Sequence, residues 1–136
     1  MITLEQYWMG HTAARSPEIE QNAALTVELV NKLLAIAHVH GVDTPLSPRT
    51  GSNLTSGWRP AAYNATVPGA AVRSKHISAQ AADLYDPEGD LDDWLIADYH
   101  HVMADLGLWL EHPAATKGWC HVQTVPPNSK KRVFYP

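Results

Sequence analysis

The sequence predicts an α+β fold, and three observations carry that expectation. Apolar residues recur at spacings of three and four over one long segment, Ile19, Ala23, Val27, Val30, Leu34 and Ala37, which marks one face of an amphipathic helix. A second such set, Leu91, Leu95, Tyr99, Val102 and Leu106, follows later. Two short segments near the C-terminus, Leu108 to His112 and Trp119 to Thr124, then flank the turn-forming stretch Pro113 to Gly118 and read as paired strands. Helices early and strands clustered late point to α+β rather than to alternating βα units.

The elements follow in order. Thr3 and Gln6 have the spacing of a capping box for a short first helix ending near Gly10,. Ser16-Pro17-Glu18 starts the long helix, with Ser as N-cap and Pro at the first helical position, and Gly41 stops it,. Residues 42–71 are rich in Pro, Gly, Ser, Thr and Asn and read as loop, with a short strand entering Ser56-Gly57-Trp58-Arg59. An irregular stretch of that length in a small chain serves a site or is pinned by one. A further helix starts at Asp90, with Asp92 and Asp93 favourably placed in its first turn, and ends at Gly107,.

At 136 residues, the chain fits a single domain spanning 1–136,. Its 45% apolar and 18% charged residues are enough for a buried core. A net charge of -4 argues against general nucleic-acid binding, which needs a clustered basic surface. Cys120 is the only cysteine, so no intrachain disulfide forms. MITLEQYWMGH lacks the basic opening and apolar run of a secretory signal,. Leu25 to Val39 is interrupted by Glu28, Asn31, Lys32 and His38 and is no membrane span,. No membrane or nucleic-acid partner is expected, and the expected state is a monomer.

The most informative segment is Ser74-Lys75-His76-Ile77-Ser78-Ala79-Gln80-Ala81-Ala82-Asp83. Imidazole and carboxylate both suit zinc, and a catalytic zinc site supplies three protein ligands while leaving a fourth position for water. His76 and Asp83 can meet at one ion if the chain turns back between them, past the small Ala79, Ala81 and Ala82. His121, on the expected last strand, is the best third ligand. Spacing alone does not separate this from a hydrogen-bonded His-Asp pair with no metal.

The wider pattern adds to it. SKHISAQAAD resembles the S-x-H-x-x-G-x-A-x-D signature of the M15 D-alanyl-D-alanine carboxypeptidase family. SGWRP resembles the substrate-arginine segment that precedes that signature, and WCHVQ its last zinc-histidine strand. The three occur in family order over about the last 80 residues. YWMGH and the closing HPAATKGWCHVQTVPPNSKKRVFYP are similar to phage-encoded, endolysin-type members. The resemblance implies a Hedgehog/DD-peptidase fold, a small antiparallel sheet with packed helices, and zinc bound by His76, Asp83 and His121. It implies that Arg59 and Ser74 contact the substrate or the developing oxyanion; a guanidinium can grip a terminal carboxylate through two charge-assisted bonds. The implied activity is hydrolysis of an amide bond in peptidoglycan stem peptides, of D-Ala-D-Ala carboxypeptidase or L-Ala-D-Glu endopeptidase type. Synthesis in the cytoplasm of an infected bacterium, then action on the wall after release, completes the expectation.

The chain departs from the family pattern at two positions. Ala79 replaces the usual glycine, and Gly118 stands where the family carries its catalytic carboxylate, three residues before the last histidine. Glu111 is the expected substitute. If Leu108 to His112 pairs antiparallel with Trp119 to Thr124, Glu111 lies opposite His121 and on the same face. The alternatives are a solvated strand residue or a partner of Arg59, and, for the whole chain, a catalytically impaired, zinc-stabilised peptidoglycan-binding module. His112 and Cys120 should face away from His121; His100-His101 and His38 with His40 cannot converge on one ion from a helix. Trp58, Trp109 and Trp119 wall a cleft or fill the core, and Lys130-Lys131-Arg132 reads as a solvated basic turn.

Overall fold

The computed structural model describes residues 1–136 and opens on the capping box. The Thr3 hydroxyl accepts from the Gln6 amide at 3.1 Å, the Gln6 carboxamide accepts from the Thr3 amide at 3.0 Å, and α1 (Leu4–Tyr7) follows. At the start of α2 (Pro17–Val39), the Ser16 hydroxyl accepts from Ile19 at 3.2 Å. Gly41, at φ +78°, takes the left-handed conformation that ends a helix cheaply only for glycine,.

The buried side of α2 is Ala23, Thr26, Val30, Leu33 and Ala37, while Ile19, Val27 and Leu34 are half-buried. The face is thus rotated from the one the apolar spacing marks. Thr26 explains the rotation: it is fully buried, and its hydroxyl donates to the Ala79 carbonyl at 2.8 Å. A polar residue satisfied in this way sits inside at little cost.

The single helix expected from Asp90 is two, α4 (Asp90–Ala97) and α5 (His100–Leu106). The Asp98 and Tyr99 amides both donate to Trp94 O, and the Tyr99 ring packs 4.9 Å from Trp94 and 4.1 Å from His40. Tyr99 is half-buried there, between the buried Trp94 and the exposed His40. Asp86 caps α4, accepting from the amides of Leu91 at 3.1 Å and Asp92 at 3.0 Å, where a negative charge also suits the helix dipole. Gly107, φ +72°, ends α5 as expected.

The strands are β1 (Leu54–Ser56), β2 (Ala81–Asp86), β3 (Trp109–Glu111), β4 (Gly118–Gln123) and β5 (Val133–Phe134). They form one sheet in the order β1-β2-β4-β3-β5, antiparallel except for the parallel β3/β5 pair. The strand expected around Ser56 lies slightly earlier, and a short helix, α3 (Ala61–Asn64), follows it within the stretch read as loop. A 3₁₀ turn, Pro113–Ala115, joins β3 to β4. The result is an α+β fold, and no helix is long and apolar enough to cross a membrane.

Alternation along the strands separates two chemistries. Ala82, Leu84, Leu110, Cys120 and Val122 join the apolar cluster with Val30, Leu33, Leu91, Leu95 and Met103. The intervening residues, Asp83, His121 and Glu111, belong to the opposite face. The sheet is therefore a platform: one side is core and the other carries ionisable groups.

Candidate metal centre

A tight loop brings His76 over the start of β2. Its turns are closed by Ile77 N to Ser74 O at 3.1 Å and Gln80 N to Lys75 O at 2.9 Å, and the Ser74 hydroxyl accepts from the His76 amide at 3.2 Å. Ala79 adopts φ +60° within it, a conformation that favours glycine. Alanine here therefore carries strain.

Asp83 and His121 come together through the sheet, as directly paired residues of β2 and β4. His121 Nδ1 lies 2.7 Å from Asp83 Oδ1 and His76 Nε2 lies 3.2 Å from Asp83 Oδ2. One ligand atom from each of the three lies within 4.8 Å of the others, so the group can hold a metal ion. His76 is 3% exposed and Asp83 6%. The donor set fits: His76 Nδ1 donates to the Gly57 carbonyl at 2.7 Å, which leaves Nε2 to face Asp83, as a donor when the ring is charged and as a free lone pair for a metal when it is not. His121 Nε2 lies 2.9 Å from Gln123 Oε1.

The electrostatics are those of a tightly coupled cluster. Burial works against the charge on Asp83, but the His76 charge and the hydrogen bonds from His121 and His76 outweigh it and hold the carboxyl far below the usual range. Burial likewise opposes charge on His121, yet the hydrogen bond and charge of Asp83 raise its pKa to about 9. Arg59 closes one side. Its Nη2 lies 3.4 Å from Asp83 Oδ2, its Nε donates to Ser56 Oγ at 3.1 Å, and its Nη1 to Asn64 Oδ1 at 3.3 Å. Gly57 sits where a Cβ would lie 2.3 Å from Tyr7 O, so only glycine lets α1 and the His76 support approach so closely.

Glu111 joins the same row. β3 pairs with β4 through Trp109 with Gln123 and Leu110 with Val122, and one further step in that register sets Glu111 opposite His121. Burial raises the Glu111 pKa; the Asp83 charge raises it further, while His121 and His76 lower it. Ser56, Asp83, His121 and Glu111 thus form one cross-strand row over β1, β2, β4 and β3. Gly118 does not belong to it. It pairs with Asp86 at φ +97°, has the same parity as Cys120 rather than His121, and is exposed with open space around it.

The remaining candidates lie elsewhere. His38 pairs with Asp43 at the surface, His40 packs against Trp94 and Tyr99, His100 and His101 are exposed on α5, and His112 stacks on Tyr135. Cys120 is buried in the core. Trp58 is core as well, its Nε1 donating to Ile77 O at 3.0 Å, whereas Trp109 and Trp119 are half-buried. In the basic turn Lys130 and Lys131 are exposed, but the Arg132 guanidinium stacks 3.7 Å from the Trp109 ring and donates to Leu108 O. A cavity of about 500 Å³, lined by Glu5, Trp8, His11, Arg15 and Glu20 among others, contains none of His76, Asp83 and His121. Sequence reading missed Gln123, Ser56 and Asn64; only Gln123 had a local signal, since two residues beyond His121 on a strand is the same face.

No protein-family model matches the chain, and no curated protein or solved structure is significantly similar to it.

Proposed function

We propose that the chain is a zinc peptidase of the M15 D-alanyl-D-alanine carboxypeptidase type, with a Hedgehog/DD-peptidase fold, acting on amide bonds of peptidoglycan stem peptides. The observation that carries the reading is the convergence of His76, Asp83 and His121, the three residues the sequence resemblance singles out, with Glu111 in the same cross-strand row. An endolysin-like protein of this kind acts on the cell wall after release from the cell that makes it.

Zinc, when bound, supplies Lewis-acid polarisation of the scissile carbonyl and lowers the pKa of its water to about 7. His76, Asp83 and His121 hold it. Glu111 would take the proton from the attacking water and pass it to the leaving amine, a role suited to a carboxyl whose pKa burial raises above its ordinary value,. Arg59 steadies Asp83, and the N–H groups it does not spend on Ser56, Asn64 and Asp83 are available to a substrate carboxylate or oxyanion,. Ser74 shapes the His76 loop at the rim of the same site.

Amine release from a purified muropeptide, with and without chelator, tests this reading. Chelation should abolish release and zinc restore it. Glu111→Gln should slow turnover by roughly 10²–10⁴-fold with zinc content unchanged, and full activity in that variant would remove Glu111 from the mechanism.

A second reading is a catalytically impaired, zinc-stabilised peptidoglycan-binding module. Gly118 favours it, because the position offers no carboxylate and its φ of +97° disfavours one. It expects bound zinc, binding to cell wall and no amine release.

A further inference from the structure

We propose that Gln123 is a positioning residue for the metal centre, holding the His121 ring so that Nδ1, and not Nε2, faces the ion shared with His76 and Asp83. Its consequence for metal binding rests on the zinc reading above, but its contacts stand on their own.

Gln123 is 4% exposed, so water does not compete for its carboxamide. Its Oε1 lies 2.9 Å from His121 Nε2. An amide oxygen only accepts, so this contact keeps a proton on Nε2. The carboxamide is not free to turn over, because its own N–H₂ donates to the Val125 carbonyl at 2.9 Å. Val125 is held in turn. It precedes Pro126-Pro127, which restricts it to extended backbone, and the neighbouring Thr124 amide donates to Gln80 O at 2.9 Å. The result is a fixed chain of contacts from a proline-stiffened segment, through one amide, to a ligand ring. A reversed carboxamide would aim N–H at Nε2 and favour the other tautomer, with its lone pair turned away from Asp83.

The two histidines reach the same end by different means. His76 is fixed by a backbone carbonyl, that of Gly57, whereas His121 depends on a side chain. Gln123 is therefore the place where one substitution that touches no ligand should weaken the metal site.

The test compares the wild type with Gln123→Met, of similar size but without the acceptor, and Gln123→Glu, which keeps an acceptor toward the ring. Zinc affinity is measured against a competing chelator, melting is followed on metal-free protein, and the His121 Nε2 proton is followed by ¹⁵N-resolved NMR with and without zinc. Gln123→Met should bind zinc roughly 10–100-fold more weakly and lose the slowly exchanging Nε2 proton, while the metal-free protein still folds with a lowered melting temperature, as loss of the Gln123 hydrogen bonds to His121 and Val125 requires,. Gln123→Glu should restore affinity to within about threefold, as expected for a charged acceptor at the same position. Wild-type affinity in Gln123→Met, or a loss that Gln123→Glu does not restore, would overturn the proposal. If the wild type binds no zinc, the zinc reading fails; a protected Nε2 proton lost only in Gln123→Met would then still uphold the hold on the ring, and its absence would overturn that too.

Discussion

At the residue scale, the site is governed by one buried carboxylate shared between two imidazoles. Asp83 would be costly to bury alone, and His76, His121 and Arg59 surround it with compensating donors. This has a signed pH consequence for the metal-free protein. The folded His121 pKa is raised from 6.5 to about 9, so its stabilisation is fully present below about pH 6.5 and is lost as pH rises towards 9. The Asp83 pKa is depressed, so its contribution is present above about pH 4 and is lost on acidification. Denaturant titrations in chelator should therefore show stability falling as pH rises from about 6.5 towards 9, and falling again on acidification below about pH 4. In His121→Ala that alkaline decline should disappear; its persistence would place the proton on another group. Because an ion must displace the Nδ1 proton, zinc affinity should rise with pH across the same window.

At the element scale, close approach and capping dominate. Gly57→Ala would press a Cβ against Tyr7 O and shift either α1 or the carbonyl that orients His76. A loss of at least about 1–3 kcal/mol is expected in denaturant unfolding, together with weaker metal binding. Asp86→Ala removes both cap bonds of α4 and should cost about 1–2 kcal/mol without affecting the metal. The elements differ in how far sequence reveals them, for a physical reason. The starts of α1 and α2 were legible because caps are local chemistry at Thr3, Gln6, Ser16 and Pro17. The register that sets Glu111 opposite His121 was legible only as one conditional pairing, because a sequence marks the two strands but not their alignment, which the Trp109–Gln123 and Leu110–Val122 pairs supply,. β2 was not, since five of its six residues are buried and burial on both faces erases the alternation that marks a strand. The break at Asp98–Tyr99 was hidden too, being set by packing on His40 from a distant helix. Within the site, the motif pointed to His76, Asp83 and His121, whereas the partners of Arg59 and the Gln123–Val125 contact exist only once the chain is folded.

At the scale of the whole molecule, the sheet keeps stability and chemistry on opposite faces. The apolar cluster that joins α2, α4 and α5 to Leu84, Leu110, Cys120 and Val122 excludes the three ligands, so the fold should survive without metal. Zinc about a thousandfold above its Kd should nevertheless raise the melting temperature by roughly 10 °C, while the far-ultraviolet dichroism of the chelated protein stays that of the folded chain. Collapse of that spectrum on chelation would instead make the ion a structural requirement. The central claim, that His76, Asp83 and His121 form one metal centre, is tested most directly by metal analysis of the purified protein and its three single alanine variants. One zinc per chain in the wild type, and loss of tight binding in each variant that still folds, is the predicted result. A folded wild type that binds no zinc, or a His121→Ala variant that retains zinc at full affinity, would contradict it.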